Sequence, residues 1–176
     1  MTHNLHDPYD ALPDVASFDV RSDDISDGQR MPDPNASAAM GVAEGQDRSP
    51  HLTWSNFPAE TKSFAVTMFD ADAPTASGFW HWAVFNIPGS VTELASGAST
   101  ESMPEQAVQL RNDSGEVGYV GAAPPEGHGE HRYFTVVHAV DVPSLDIPAD
   151  ATPAYLGFNL FEHTLARAVL VPVYEL

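Results

Sequence analysis

Three apolar runs constrain this chain most, because each is short enough for a strand and is stopped at once by proline, glycine or acid. Ser63-Phe-Ala-Val-Thr-Met-Phe69 places Phe64, Val66 and Met68 on one face and runs directly into Asp70 and Asp72. Trp82-Ala-Val-Phe-Asn-Ile87 is its expected partner and is ended by Pro88-Gly89. Arg132-Tyr-Phe-Thr-Val-Val-His-Ala-Val140, rich in aromatic and β-branched residues, is the longest strand signal. Weaker strands are expected over Ser17–Ser22, before an Asp27-Gly28 turn, and over Ser49–Trp54, where Pro50 belongs at an edge or corner. Met31 to Arg48 reads as loop, and Val91 to Arg111 as irregular with one helical turn around Pro104 to Val108. One real helix is predicted: Thr152 caps it, Pro153 opens it, and Leu156, Leu160, Phe161, Leu165 and Ala168 recur at helical spacing, so it should end near Arg167. Val169–Tyr174 then closes the chain as a strand. The pattern is mainly β, an antiparallel β-sandwich with a C-terminal helix and short peripheral helical turns. Residues 1 to about 16, polar and holding Pro8 and Pro13, are read as an arm over the body, and residues 17–176 as a single domain.

A chain of 176 residues suits one domain with a proper core. Its 25 acidic against 7 basic residues leave a formal net charge of −18, with the acids spread along the whole length. Such a surface repels nucleic-acid phosphate and anionic lipid, so neither is an expected partner. Adaptation of the surface to high salt explains the even spread better than an acidic face for one basic partner, which would leave regions of mixed sign elsewhere. Cysteine is absent, so disulfides, thiolate nucleophiles and thiolate metal sites are excluded. The N-terminal residues lack the basic start and apolar run of a signal peptide, and no membrane-spanning stretch is present, so the chain is expected in the cytoplasm.

Chemistry gathers in two segments. Asp70 and Asp72 lie two apart at a strand end, Pro74 follows, and a short loop returns His81 between Trp80 and Trp82. Close carboxylates repel unless a proton, cation or donor intervenes, which marks either a site or a pair of loop caps. The second segment is a glycine- and proline-rich loop, Gly118 to Gly129, leading into His131, Arg132 and Tyr133. Gly118 and Gly121 would let exposed backbone N–H groups approach an anion. With His81, His131 and the Tyr133 hydroxyl added, the pocket suits phosphate or carboxylate, the two acids orienting the histidines and favouring their cations. A zinc or manganese site on two Asp and two His is the competing reading, though no tight pair such as His-x-x-x-His supports it. A serine nucleophile is weaker still, since no Gly-x-Ser-x-Gly elbow occurs. His51, His138 and His163 read as structural, His128 as a rim residue, and Arg132 as a loop-pinning salt bridge on the opposite face of its strand.

Asp70-Ala-Asp72-Ala-Pro74, Trp80-His81-Trp82-Ala-Val-Phe-Asn86-Ile-Pro88-Gly89, Gly118-Tyr-Val-Gly121 with Pro124-Pro125, and His131-Arg132-Tyr133 together resemble the phosphatidylethanolamine-binding protein family, in its bacterial and archaeal Raf-kinase-inhibitor-like (YbhB/YbcL-type) branch. The likeness runs from about Phe18 to Tyr174. It implies a Greek-key β-sandwich with a small anion pocket formed by Asp70, Asp72, Pro74, His81, His131 and Tyr133, walled by the Gly118 to Pro125 loop. Three positions depart from the family pattern: Ala71 and Ala122 replace prolines, and His51 stands in a Ser-Pro-Pro-Leu element. The expected function is binding of a small anion, phosphate, carboxylate or a phospholipid head group, in a regulatory role without cofactor, as monomer or homodimer. The alternative is a hydrolase or metalloenzyme built on the same Asp/His pocket.

Overall fold

A computed structural model describes residues 6–176. Its strands are β1 (Ala16–Ser17), β2 (Asp19–Arg21), β3 (Leu52–Ser55), β4 (Ser63–Asp70), β5 (Phe79–Pro88), β6 (Glu93–Leu94), β7 (Val108–Gln109), β8 (His131–Val140), β9 (Thr164–Leu170) and β10 (Val173–Tyr174); its helices are α1 (Ala98–Glu101) and α2 (Pro153–His163). The large sheet has the order β1-β9-β8-β4-β5-β7, with β10 beside β8, and the small sheet is β2-β3-β6. Pairing is antiparallel except between β1 and β9. The first strand signal therefore divides: Ala16–Ser17 joins the large sheet, Asp19–Arg21 the small one, and buried Phe18 marks the corner.

The sheets pack face to face. Leu52, Trp54 and Leu94 of the small sheet share one core with Phe64, Val66, Met68, Trp82 and Val137 of the large. Trp54 meets Phe64 edge-on at 5.3 Å between ring centroids. The opposite face of the large sheet, carrying Ala65, Ala83, Phe85 and Val140, packs with Leu156 and Leu160 of α2. A sheet apolar on both faces reads as a near-continuous hydrophobic run, which is why β4 and β8 were so conspicuous in the sequence.

Two expectations are corrected. The helix ends at His163, not near Arg167, and Thr164–Leu170 is a strand. Thr164 has extended backbone, its hydroxyl donates to the Leu160 carbonyl at 2.8 Å, and the following residues pair with β8 from Val140↔Thr164 to Thr135↔Leu170. A full ladder of sheet bonds outweighs the small helical preference of Leu165 and Ala168. The helical turn expected near Pro104 instead lies earlier, at Ala98–Glu101, while Val108–Gln109 pairs with β5.

Candidate functional site

Asp70 ends β4, opposite Phe79 on β5 and Tyr133 on β8. Directly opposed residues share a face, and so does His131, two residues before Tyr133. His81 reaches that face by another route. Trp80 pairs with Phe69 and Trp82 with Met68, so His81 is an extra residue in β5, a bulge between two consecutive pairs. Bulges re-aim a side chain at the cost of one ladder position. Here the bulge brings His81 into one cavity of about 220 Å³ with Asp70, Pro74, Phe79, Pro124 and His131.

The polar groups form a defined chain. His131 donates through Nδ1 to Asp70 Oδ2 at 2.7 Å, and its Nε2 lies 2.7 Å from His128 Nδ1, so the two imidazoles share one hydrogen. Asp70 Oδ1 accepts from the Asp72 amide at 2.8 Å. His81, which lines the cavity, donates through Nδ1 to the Val120 carbonyl at 2.9 Å, so its other ring nitrogen is Nε2. Burial lowers the His81 pKa, with the Val120 carbonyl and the Asp70 charge only partly opposing.

For His81 that last direction runs against the expectation that the acids hold it as a cation. Burial favours neutral His81. The Asp72 carboxylate grips Arg132, with Oδ2 accepting from Nε at 2.8 Å and from the Arg132 amide at 3.0 Å, and Oδ1 from an Nη at 2.9 Å. Arg132 projects from β8 opposite to His131, so the two acids part to the two sides of one strand. The fork fixes the loop after β4 to β8, the pinning role expected of Arg132.

Gly118 and Gly121 are structural in another way. The Gly121 amide donates to Asp47 Oδ1 at 2.8 Å, and a Cβ there would lie 2.2 Å from the Ala36 carbonyl carbon. Gly118, at φ +97°, donates to the Leu110 carbonyl at 3.1 Å. Their N–H groups are engaged inside the fold, and Ala123, Pro124 and Pro125 form the wall of this cavity instead. Tyr133 is fully buried, its ring 5.2 Å edge-on from His81, and its hydroxyl has no hydrogen-bond partner. Burial raises its pKa far above the ordinary phenol value, so it stays protonated.

Phe79 and Met40 also line the cavity and were missed. Phe79 was accessible to reasoning, since it stands two before His81 at a strand start. Met40 comes from a loop whose return to the pocket leaves no local signal. Among the described residues no group of three or more His, Asp or Glu is gathered as a metal ion requires.

A model of the phosphatidylethanolamine-binding protein family matches residues 21–175. The chain belongs to the phosphatidylethanolamine-binding protein family. It is 43% identical over 156 residues to the UPF0098 protein YbhB of Escherichia coli K12, covering 88% of this chain and 98% of that one. To YbcL of the same organism it is 42% identical, over 92% and 90% of the two chains. The crystal structure of E. coli YbcL, described as a new member of the mammalian PEBP family, superposes with a TM-score of 0.87 at 41% identity, over 92% of this chain and 99% of that one. A family homologue from Chlamydia trachomatis superposes at 0.76 with 30% identity, over 91% and 98%. The mainly β architecture is that of the family, and no described helix is long and apolar enough to cross a membrane.

Proposed function

We propose that this protein binds a small oxyanion, phosphate, carboxylate or a phosphate-bearing head group, between His81 and His131, and acts through occupancy in a regulatory role. The observation that carries the reading is the convergence of two imidazoles from different strands on one small cavity, with one of them backed by a buried carboxylate. Because His81 is buried and favours its neutral form, the anion enters together with a proton: an approaching negative charge stabilises the imidazolium, and Nε2 then becomes a donor. Binding should therefore strengthen as pH falls.

A hydrolase is the second reading, favoured by the Asp70–His131 pair, in which a carboxylate orients an imidazole as in general-base sites. Against it, the Nε2 that a base would use lies against His128. The even acidic surface supports a protein that works in concentrated salt, where repulsion among its charges is screened.

Titration with inorganic phosphate, and separately with phosphoethanolamine, followed by ¹⁵N NMR of the imidazoles tests the proposal. Saturable shifts at His81 and His131, lost in His81→Ala, are expected, and the tighter of the two ligands identifies the chemistry. Absence of shifts at both residues refutes anion binding. Turnover of a phosphomonoester or ester that disappears in His81→Ala establishes the hydrolase instead.

A further inference from the structure

The other face of the large sheet holds a larger cavity, about 330 Å³, between Thr67 and Phe69 of β4, His138 of β8, Arg167 of β9, Leu160 and Phe161 of α2, and the arm at Tyr9 and Leu12. Its walls are mainly apolar and its volume falls within the range of small-molecule sites, roughly 300–1,000 Å³. Two of the lining residues, His138 and Arg167, are polar. His138 Nδ1 and Arg167 Nε are buried without a hydrogen-bond partner, and the two residues are directly opposed across β8 and β9. Buried unpaired donors are rare because each forfeits its hydration without return.

Arg167 is more unusual for its charge. In a chain with 25 acidic and 7 basic residues, it makes no ion pair among the described residues, whereas Arg30, Arg48 and Arg132 each do. Its contacts are a 3.3 Å bond from an Nη to the Pro13 carbonyl and the Tyr9 ring, 5.6 Å from the guanidinium carbon. Burial lowers its pKa, so a nearby anion would relieve a real cost. His138 supplies a neutral donor beside it. Its Nε2 is 3.1 Å from the Thr67 hydroxyl, which is 3.5 Å from the Tyr9 hydroxyl; with Tyr9 donating to Thr67 and Thr67 to Nε2, the ring hydrogen sits on Nδ1.

We propose that this cavity is a second binding site, which takes a medium-chain aliphatic carboxylate, its two oxygens on Arg167 and His138 and its chain between Tyr9, Leu160 and Phe161. One cation and one neutral donor match a monoanion with two acceptor oxygens, and apolar walls match an alkyl chain. Phe161 of α2, which lines the cavity and is 58% exposed, gives an amphiphile an apolar approach, and Phe158 on the same helix is 75% exposed.

Decanoate below its aggregation concentration, titrated into the full chain by calorimetry and ¹⁵N NMR, tests the site. One saturable equivalent should bind, shifting His138 Nδ1 and Arg167 Nε while leaving His81 unmoved. Decanol should bind at least about tenfold more weakly, and Arg167→Gln should lose a similar factor, the worth of one charged hydrogen bond. Gly157→Leu, which removes a helix-interior glycine whose Cβ direction is open, should narrow the mouth and weaken decanoate in a fully folded protein. None of these variants should change phosphate binding at His81 and His131, so failure here is separable from failure there. Equal affinity for decanol, unaltered affinity in Arg167→Gln, tighter binding of benzoate than of decanoate, or shifts confined to His81 and His131 would each overturn the proposal. So would self-association through α2 that Phe158→Ser abolishes while decanoate fails to bind.

Discussion

Consecutive residues of β4 serve two different cavities. Asp70 faces the small pocket at the end of the sandwich, while Thr67 and Phe69 face the larger one under α2. In the small pocket the acids and imidazoles are chained together: Asp70 to His131, His131 to His128, His81 to the Val120 carbonyl. In the large one two nitrogens stand unpaired against hydrocarbon. Groups chained in this way hold one another in one arrangement and admit a ligand by moving a proton, whereas unpaired donors beside an apolar wall leave the bond for the ligand to make. The alternation of side chains along one strand is enough to create both environments a few ångströms apart.

The comparison is broken most forcefully by pH. Burial, aided by the Arg167 charge, pushes His138 down to about 3 from an unfolded value near 6.5. The unfolded chain therefore gains a proton at His138 below pH 6.5 while the folded chain does not. Stability is full above that pH and falls as pH drops toward 3, by on the order of 4–5 kcal/mol from this residue at about 1.4 kcal/mol per unit. His81, also lowered, acts in the same sense. Urea unfolding of His138→Phe should show a much flatter profile from pH 6.5 to 4; an unchanged profile would mean His138 is not held neutral by its surroundings.

Breaking the Asp72–Arg132 fork comes next. Asp72→Asn should cost about 2–3 kcal/mol, below the full value for a buried pair because Arg132 is partly exposed. Its phosphate affinity should stay within about twofold, since Asp72 grips the far side of β8. A large loss of affinity with unchanged stability would return Asp72 to the pocket.

Sulfate, dianionic throughout, isolates the proton taken up by His81. Its affinity should rise by up to about tenfold per pH unit between pH 8 and 5, and His81→Gln should flatten the slope. A slope persisting in His81→Gln would place the proton on the His131–His128 pair. The smallest effect sharpens the α2 side: Gly157→Ala should stabilise by up to about 1 kcal/mol, read as a higher urea midpoint, and leave sulfate binding untouched.

The strands around the site were legible because burial on both faces writes itself as apolar runs, and Ser63–Phe69 and Arg132–Val140 lie within a residue of the observed β4 and β8. The end of α2 was not, because Leu165 and Ala168 fit a helix locally and only the ladder to β8 overrules them. Gly118 and Gly121 were read as points of close approach to an anion, and the atoms that stand close to them in the fold are protein backbone and side chains.

What the sequence determined by itself is the mainly β class, the family, and the residue types that meet at the pocket: these follow from periodicity, turn chemistry and motifs that are local in the chain. The tertiary structure alone decided which partner each polar group takes. The bulge that turns His81 beside Trp82, the parting of Asp70 to His131 and Asp72 to Arg132, and the pairing of His138 with Arg167 across two strands all depend on register. Register is set by the fit of whole sheets, so a shift of one residue would exchange every one of these partners while leaving the local pattern unaltered.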